Sequence, residues 1–124
     1  MQGSPELAMA IQMRPERGYM RAICTGQADS GAFRKGVDHI AAATRKGAAK
    51  VLIDLRGVHQ LLSVGDVAFL AEHAAIAFHH LKRVATLVGA GERKGVAEAV
   101  AIEQGLALRT FVDEPSAIAW LLSD

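Results

Sequence analysis

Ser63 has the most candidate chemistry around it. His59 lies shortly upstream, and Asp54 and Asp66 flank it, so a Ser-His-Asp set can be assembled on paper. No nucleophile-elbow glycines surround this serine, however. Asp54 stands in an apolar run and is followed by Arg56, the setting of a structural hydrogen-bond acceptor. No catalytic residue is assigned, and the chain is expected not to be an enzyme. Ser63 with Asp66 instead resembles a capping box, with Asp where Glu or Gln is usual.

The five histidines raise metal binding. His73 and His80 are two turns apart on an expected helix, roughly 10 Å along its axis, too far to chelate one ion directly. His79 and His80 point in different directions, and there is no cysteine cluster. No metal and no cofactor are expected. A pH-sensitive surface through His73 and His80 stays open as a reading.

Gly89-Ala90-Gly91-Glu92-Arg93-Lys94-Gly95 follows a strand and opens a helix. Helix-end N–H groups and two basic side chains would suit an anion there. The glycine spacing is one residue longer than the dinucleotide fingerprint, and the turn follows the fourth strand rather than the first. An ordinary strand-to-helix turn and a weak anion or nucleotide site at Gly89, Gly91, Arg93 and Lys94 are the two readings.

These residues must be positioned by the elements around them. Residues 50–81 organise the chain as a strand, a loop and a long helix. Val51-Leu52-Ile53 is apolar without alternation, the mark of a strand covered on both faces. In the helix, Val67, Leu70, Ala71, Ala74, Phe78 and Leu81 share one side, which faces the sheet. Phe69, His73, Ile76 and His80 share the opposite side, where a surface helix should be polar. Either another segment of the chain covers this stripe, or Phe69 and Ile76 are tolerated exposed residues, or the helix docks a partner or a second copy.

A polar stretch over 1–6 is expected to fray. Residues 7–13 alternate as a strand, 14–18 form a turn around Pro15 and Gly18, and 19–25 return as a second strand. Asp29 or Ser30 caps a first helix with Phe33, Val37, Ile40 and Ala41 on its inner face, ending near Gly47. After the central strand (50–55) and helix (63 to about 81), residues 83–89 form a strand and 91–104 hold a helix. That helix turns Val96, Ala99 and Val100 inward. Residues 106–112 form the last strand. Asp113 caps a final helix with Pro115 in its first turn, Ile118, Leu121 and Leu122 inward, and Trp120 beside them. The order β-β-α-β-α-β-α-β-α predicts an α/β fold: a single five-stranded mixed, mostly parallel sheet with helices. Residues 7–124 are expected to form one domain.

Bulk properties narrow the function. The chain has 124 residues, 51% of them hydrophobic but only 5% aromatic, so the core is built of small aliphatic side chains. Fourteen basic and thirteen acidic residues leave a net charge of +1. Nucleic-acid binding needs clustered positive excess, so no nucleic-acid partner is expected. The single cysteine, Cys24, lies in an apolar run and reads as a buried inert thiol. No stretch approaches a membrane span, and no signal-peptide pattern opens the chain. A cytoplasmic location is the expectation.

The element order, the strand Val51-Leu52-Ile53-Asp54-Leu55, and the loop and helix carrying Gly65 resemble STAS domains, the sulfate-transporter and anti-sigma-factor-antagonist family, also called SpoIIAA-like. The stretches Arg83-Val84-Ala85-Thr86-Leu87-Val88, Gly95-Val96-Ala97, Leu108-Arg109-Thr110-Phe111-Val112-Asp113-Glu114 and Ala117-Ile118-Ala119-Trp120-Leu121 look more like the small stand-alone STAS-like proteins, most without an assigned activity. Antagonists of the family carry a phosphorylatable serine in Asp-Ser-Ser/Thr-Gly. Anchored on Gly65, the equivalent residues here are Leu62-Ser63-Val64-Gly65: the Asp position is Leu62 and the usual acceptor position is Val64. A phosphorylation switch is therefore not carried over. The resemblance implies a regulatory protein-interaction module. Its contacts would be Ser63 with its preceding loop (59–65) and the stripe Phe69, His73, Ile76 and His80, meeting a protein partner or a second subunit. Some STAS-like folds are compared with lipid carriers, so a small apolar ligand in a pocket of the Ala-rich core is the alternative.

Overall fold

The computed structural model describes residues 9–90 and 95–123. The expected frayed stretch 1–6 and the turn residues Gly91, Arg93 and Lys94 lie outside them. Five strands form one sheet in the order β1-β2-β3-β4-β5. They are β1 (Met9–Glu16), β2 (Tyr19–Ala28), β3 (Lys50–Gln60), β4 (Arg83–Leu87) and β5 (Leu108–Phe111). Among the described residues, only the β1–β2 pair is antiparallel. The helices are α1 (Ser30–Thr44), α2 (Val64–Ala77), α3 (Val96–Glu103) and α4 (Glu114–Leu122). This is the expected mixed, mostly parallel α/β architecture.

The helices divide unequally between the two sheet faces. Side chains of α1, α2 and α3 pack with Ala22, Cys24, Val51, Ile53, Val84 and Leu108. Ala117 and Leu121 of α4 pack with Leu52, Ala85 and Leu87 on the other face. β3 thus buries alternate residues in two cores, which is why its sequence shows no alternation. Cys24 is 1% exposed, and burial pushes its thiol up to about 12, the inert state expected of it.

Three of the predicted helix starts are present. Asp29 accepts from the Ala32 N–H at 2.9 Å, and Asp113 accepts from the Ser116 N–H at 2.9 Å. Ser63 and Asp66 form the full capping box: the Asp66 N–H donates to Ser63 Oγ at 3.0 Å, and the Ser63 N–H donates to Asp66 Oδ2 at 2.9 Å. Asp is long enough here because both hydrogen bonds span only the first turn.

Several boundaries differ from expectation. Pro15 is a strand residue opposite Met20, and the turn is confined to Arg17 and Gly18, with Gly18 at φ +89°. Because β1 is an edge strand, the missing proline N–H costs no ladder bond. β3 runs on to Gln60 because β2 continues alongside it to Ala28. The pairing absorbs an extra β3 residue between Ile23 and Thr25. Gly57 follows at this irregularity, where a Cβ would sit 3.2 Å from the Cys24 carbonyl oxygen. His59 and Gln60 are therefore strand, not loop.

α2 stops at Ala77 instead of near Leu81. Phe78, 1% exposed, plugs into the core as the C-cap, and the chain turns so that the Lys82 N–H donates to the Ala49 carbonyl at 2.6 Å. On α3 the fully buried residue is Ala101, and Ala99 faces solvent. On α4, Ala117 and Leu121 form the inner face, while Leu122 is 42% exposed.

Candidate functional site

The described residues do not fill the sheet face under α1–α3. A cavity of about 610 Å³ lies between α2 and the strands. Its roof is Val67, Leu70, Ala71 and Ala74 of α2, with Phe78 beyond. Its floor is Ile53 and Leu55 of β3, Thr86 of β4 and Leu108 and Thr110 of β5. Met9, Phe33, Val37 and Ile40 close one side, and Val96 and Ala97 the other. The cause is visible in the sequence of the roof, where two positions over the floor are alanines. Small side chains on a helix held off by neighbouring Leu, Val and Phe leave space that close packing would otherwise fill.

Gln60, Leu62, Ser63 and Val88 rim the cavity at the carboxyl ends of the parallel strands, where ligands of open α/β sheets bind. Its size falls within the range of small-molecule sites. No charged side chain lines it, among the described residues. Its polar groups are Gln60, Ser63, Thr86 and Thr110. Ser63 Oγ is engaged by the cap. Thr86 Oγ1 donates to Thr110 Oγ1 at 2.9 Å, and the Thr110 N–H donates to Glu98 Oε1 of α3. Sequence reasoning singled out neither threonine, since alternate threonines in two β-strands are ordinary strand formers.

The outer stripe of α2 divides. Phe69 is 55% and Ile76 74% exposed, so the helix does carry two large apolar residues towards solvent. His73 leans to α1, its Nε2 2.7 Å from Asp38 Oδ1. His80 is not on the helix. It sits in the turn beyond, with Nε2 2.8 Å from Thr44 Oγ1 at the end of α1. Its Nδ1 is buried with no hydrogen-bond partner among the described residues. Burial, then the nearby Arg45 and His79, hold this imidazole below its ordinary value. His80 therefore leaves the proposed stripe, because the helix ends before the heptad is complete. At the start of α2, Leu61 and Val64 are also exposed. Gly89 is half-buried two residues past the end of β4.

The opposite face carries the charged chemistry. Arg56 makes two bonds to Asp54, Nε to Oδ1 at 3.0 Å and Nη2 to Oδ2 at 2.8 Å. It also donates to Glu114 Oε1 at 3.0 Å. Arg21 bridges Glu16 at 3.1 Å and both Glu114 oxygens at 3.3 Å. Asp54 is thus the structural acceptor read from its setting, and it is not available as the acid of a triad. The hydrogen bonds from Arg56 hold its carboxyl below the ordinary range, and those from Arg21 do the same for Glu114. This network joins the start of α4 to three strands. Its Asp54–Arg56 pair is local in sequence, but its link to α4 is not, since Arg21 and Glu114 are 93 residues apart.

With this geometry in view, the solved structures give the fold a name. One match is an uncharacterised protein of the DUF3478 family with a SpoIIAA-like fold from Shewanella loihica PV-4. It has a TM-score of 0.61 and 16% identity over 98% of this chain and 99% of that one. The chain has a SpoIIAA-like fold. A second match is an anti-sigma factor antagonist from Mycobacterium paratuberculosis, with a TM-score of 0.54 and 13% identity over 94% of this chain and 96% of that one. No protein-family model and no curated protein sequence matches. The STAS-like architecture expected from the residues is therefore shown at the level of the SpoIIAA-like fold. Among the described residues, no helix is long and apolar enough to cross a membrane.

Proposed function

We propose that this SpoIIAA-like chain, residues 7–124, is a single non-enzymatic, cytoplasmic binding domain that takes a small apolar ligand beneath α2. The observation that carries this reading is the cavity of about 610 Å³, lined almost entirely by aliphatic and aromatic side chains and reached at the carboxyl ends of the strands. An apolar ligand there would remove its own surface and the cavity wall from water, at about 25 cal/mol per Å². Nile red, an uncharged apolar dye, provides a direct test. Its fluorescence should rise saturably on adding the protein, with one site per chain. Ala74→Phe, which fills the roof, should weaken that binding at least tenfold while the fold is retained by circular dichroism. Equal binding by the filled variant would place the dye elsewhere and remove this reading.

The exposed Phe69 and Ile76 favour a second reading, a STAS-like protein-interaction module. A regulatory protein or a second copy would dock on the outer face of α2, with Ser63 at its rim and His73 at its α1 side. The Mycobacterium match is named as an anti-sigma factor antagonist, which gives this reading its precedent. Phe69→Asp with Ile76→Asp should abolish self-association or partner capture without loss of fold. Unchanged mass in solution and unchanged partner binding would sink it. The two readings are separable, because Phe69 and Ile76 do not line the cavity.

A further inference from the structure

The floor of the cavity is polar at one place, and that place constrains the ligand. Thr86 and Thr110 stand side by side on β4 and β5, joined hydroxyl to hydroxyl at 2.9 Å. Each hydroxyl has one proton to donate. The bond between the two consumes one, and the other has no side-chain or backbone acceptor among the described residues. Both residues are half-buried, as expected for side chains that line an open space. A hydroxyl proton facing an apolar cavity is satisfied by whatever occupies it, because leaving it unmade costs more than the net value of a typical hydrogen bond.

The opposite end of the cavity is wholly apolar, with Met9, Phe33, Val37 and Ile40 from β1 and α1. Met9 and Thr110 lie on the two edge strands of the sheet, four strand spacings apart, roughly 19 Å. The cavity therefore runs across the sheet, apolar at one end and hydrogen-bonding towards the other. No cation lines it among the described residues, and the Glu98 carboxylate stands next to Thr110, bonded to its N–H. A carboxylate or phosphate head placed there would lose its hydration, meet no counter-charge among the described residues and stand near the Glu98 carboxylate.

We infer that the cavity takes an elongated ligand with an aliphatic body and a single uncharged oxygen head, such as a long-chain alcohol or ester, whose oxygen accepts from the Thr86–Thr110 hydroxyl pair. This rests on the cavity reading above and names the class of molecule that site would hold. The body lies against Leu55, Leu70 and Phe33, and the oxygen ends on β4 and β5. The threonines do no chemistry; they orient the molecule and select its head.

Displacement of Nile red by 1-decanol, decane and decanoate at pH 8 tests this. On the wild type, decanol should displace the dye at about tenfold lower concentration than decane, the value of one net hydrogen bond. Decanoate should be the weakest. Thr86→Val with Thr110→Val keeps shape and removes both hydroxyls, so decanol should fall to the level of decane and decane should be unchanged. Thr86→Ser with Thr110→Ser keeps the hydroxyls and should restore the preference, which guards against a loss caused by misfolding. If no probe competes with the dye, the cavity reading fails and this inference with it. If decane and decanol compete equally on the wild type, or the valine pair keeps the preference, the head-group assignment is wrong while the cavity reading stands. Decanoate outcompeting decanol would overturn the requirement for an uncharged head.

Discussion

The two faces of this sheet are built on different principles. Under α1, α2 and α3 the contacts are apolar, the side chains small, and a cavity of about 610 Å³ remains. Under α4 the space is closed. Leu121 and Ala117 are fully buried, Arg83 and Arg109 lie over the Trp120 ring at 5.2 and 5.7 Å, and Arg21 and Arg56 tie Glu114 to the sheet. One helix on one face is locked by shape and charge, while three helices on the other leave space. The difference teaches where stability and function separate. A face that only holds the fold together has no reason to leave a void, because each void forfeits dispersion contacts.

The largest expected effect sharpens that contrast. Leu121→Ala on the closed face should destabilise by about 3–4 kcal/mol, since the lost transfer energy is joined by a new cavity in tightly packed surroundings. Leu70→Ala on the cavity face should cost less, about 2 kcal/mol, because one side of Leu70 already meets a void and has fewer contacts to lose. Urea denaturation of both variants measures this. Equal losses would mean that the two faces are packed alike. The reverse should hold for dye binding, weakened by Leu70→Ala and untouched by Leu121→Ala.

Next in size is Arg21→Met. Its side chain is 13% exposed and holds both Glu16 and Glu114. Removing it leaves Glu16 with only the 3.9 Å contact to Arg14 and Glu114 with Arg56 alone, in a partly dry site, at an expected cost of about 2 kcal/mol. Further removal of one carboxylate, as Arg21→Met with Glu114→Gln, should recover part of the loss. A double-mutant cycle with no coupling would show that the network is surface ornament of the kind that contributes nothing measurable.

Much of the closed face was hidden from the sequence, and much of the open face was legible. The buried strand Val51-Leu52-Ile53, the caps at Asp29, Ser63 and Asp113, and the inner side of α2 all follow from local rules of periodicity and hydrogen bonding. Pro15 was misread because proline next to a glycine turn has the composition of a turn, and only strand order reveals an edge. The end of α2 was misread because Phe78 and Leu81 keep helical spacing while the backbone between them turns, with no Gly or Pro to mark it. That error carried His80 onto a surface it does not occupy. The ion network joins residues from distant parts of the chain, so no window contains it. The cavity was anticipated only as a consequence of an alanine-rich core, because a void depends on how elements settle against one another. The sequence marks Phe69 and Ile76 as lying opposite the sheet-facing side of the helix but leaves open whether another segment covers them; the structure turns both towards solvent.

The smallest effect divides the two faces by pH. On the closed face, Asp54 and Glu114 are held below their ordinary values of 3.8 and 4.5, chiefly by hydrogen bonds from Arg56 and Arg21. As pH falls, the unfolded chain binds protons first, so this stabilisation is present above about pH 4.5 and is lost as pH drops through the folded values. On the cavity face, burial holds the His80 imidazole below 6.5. There too the unfolded chain protonates first, but earlier, so stability begins to fall below pH 6.5 and the loss is complete once pH passes the folded value. Protonation at Nδ1 would charge a ring packed beside Arg45 at a buried nitrogen with no acceptor among the described residues, while Nε2–H goes on donating to Thr44 Oγ1, whose own proton goes to the Ile40 carbonyl. Urea midpoints measured from pH 8 to 3 should therefore show a shallow decline starting below 6.5 and a steeper one below 4.5. His80→Gln should flatten the first and leave the second, while Asp54→Asn should weaken the second and leave the first. A His80→Gln profile that matches wild type between pH 6.5 and 5 would show that the mild-acid response of the cavity face lies elsewhere.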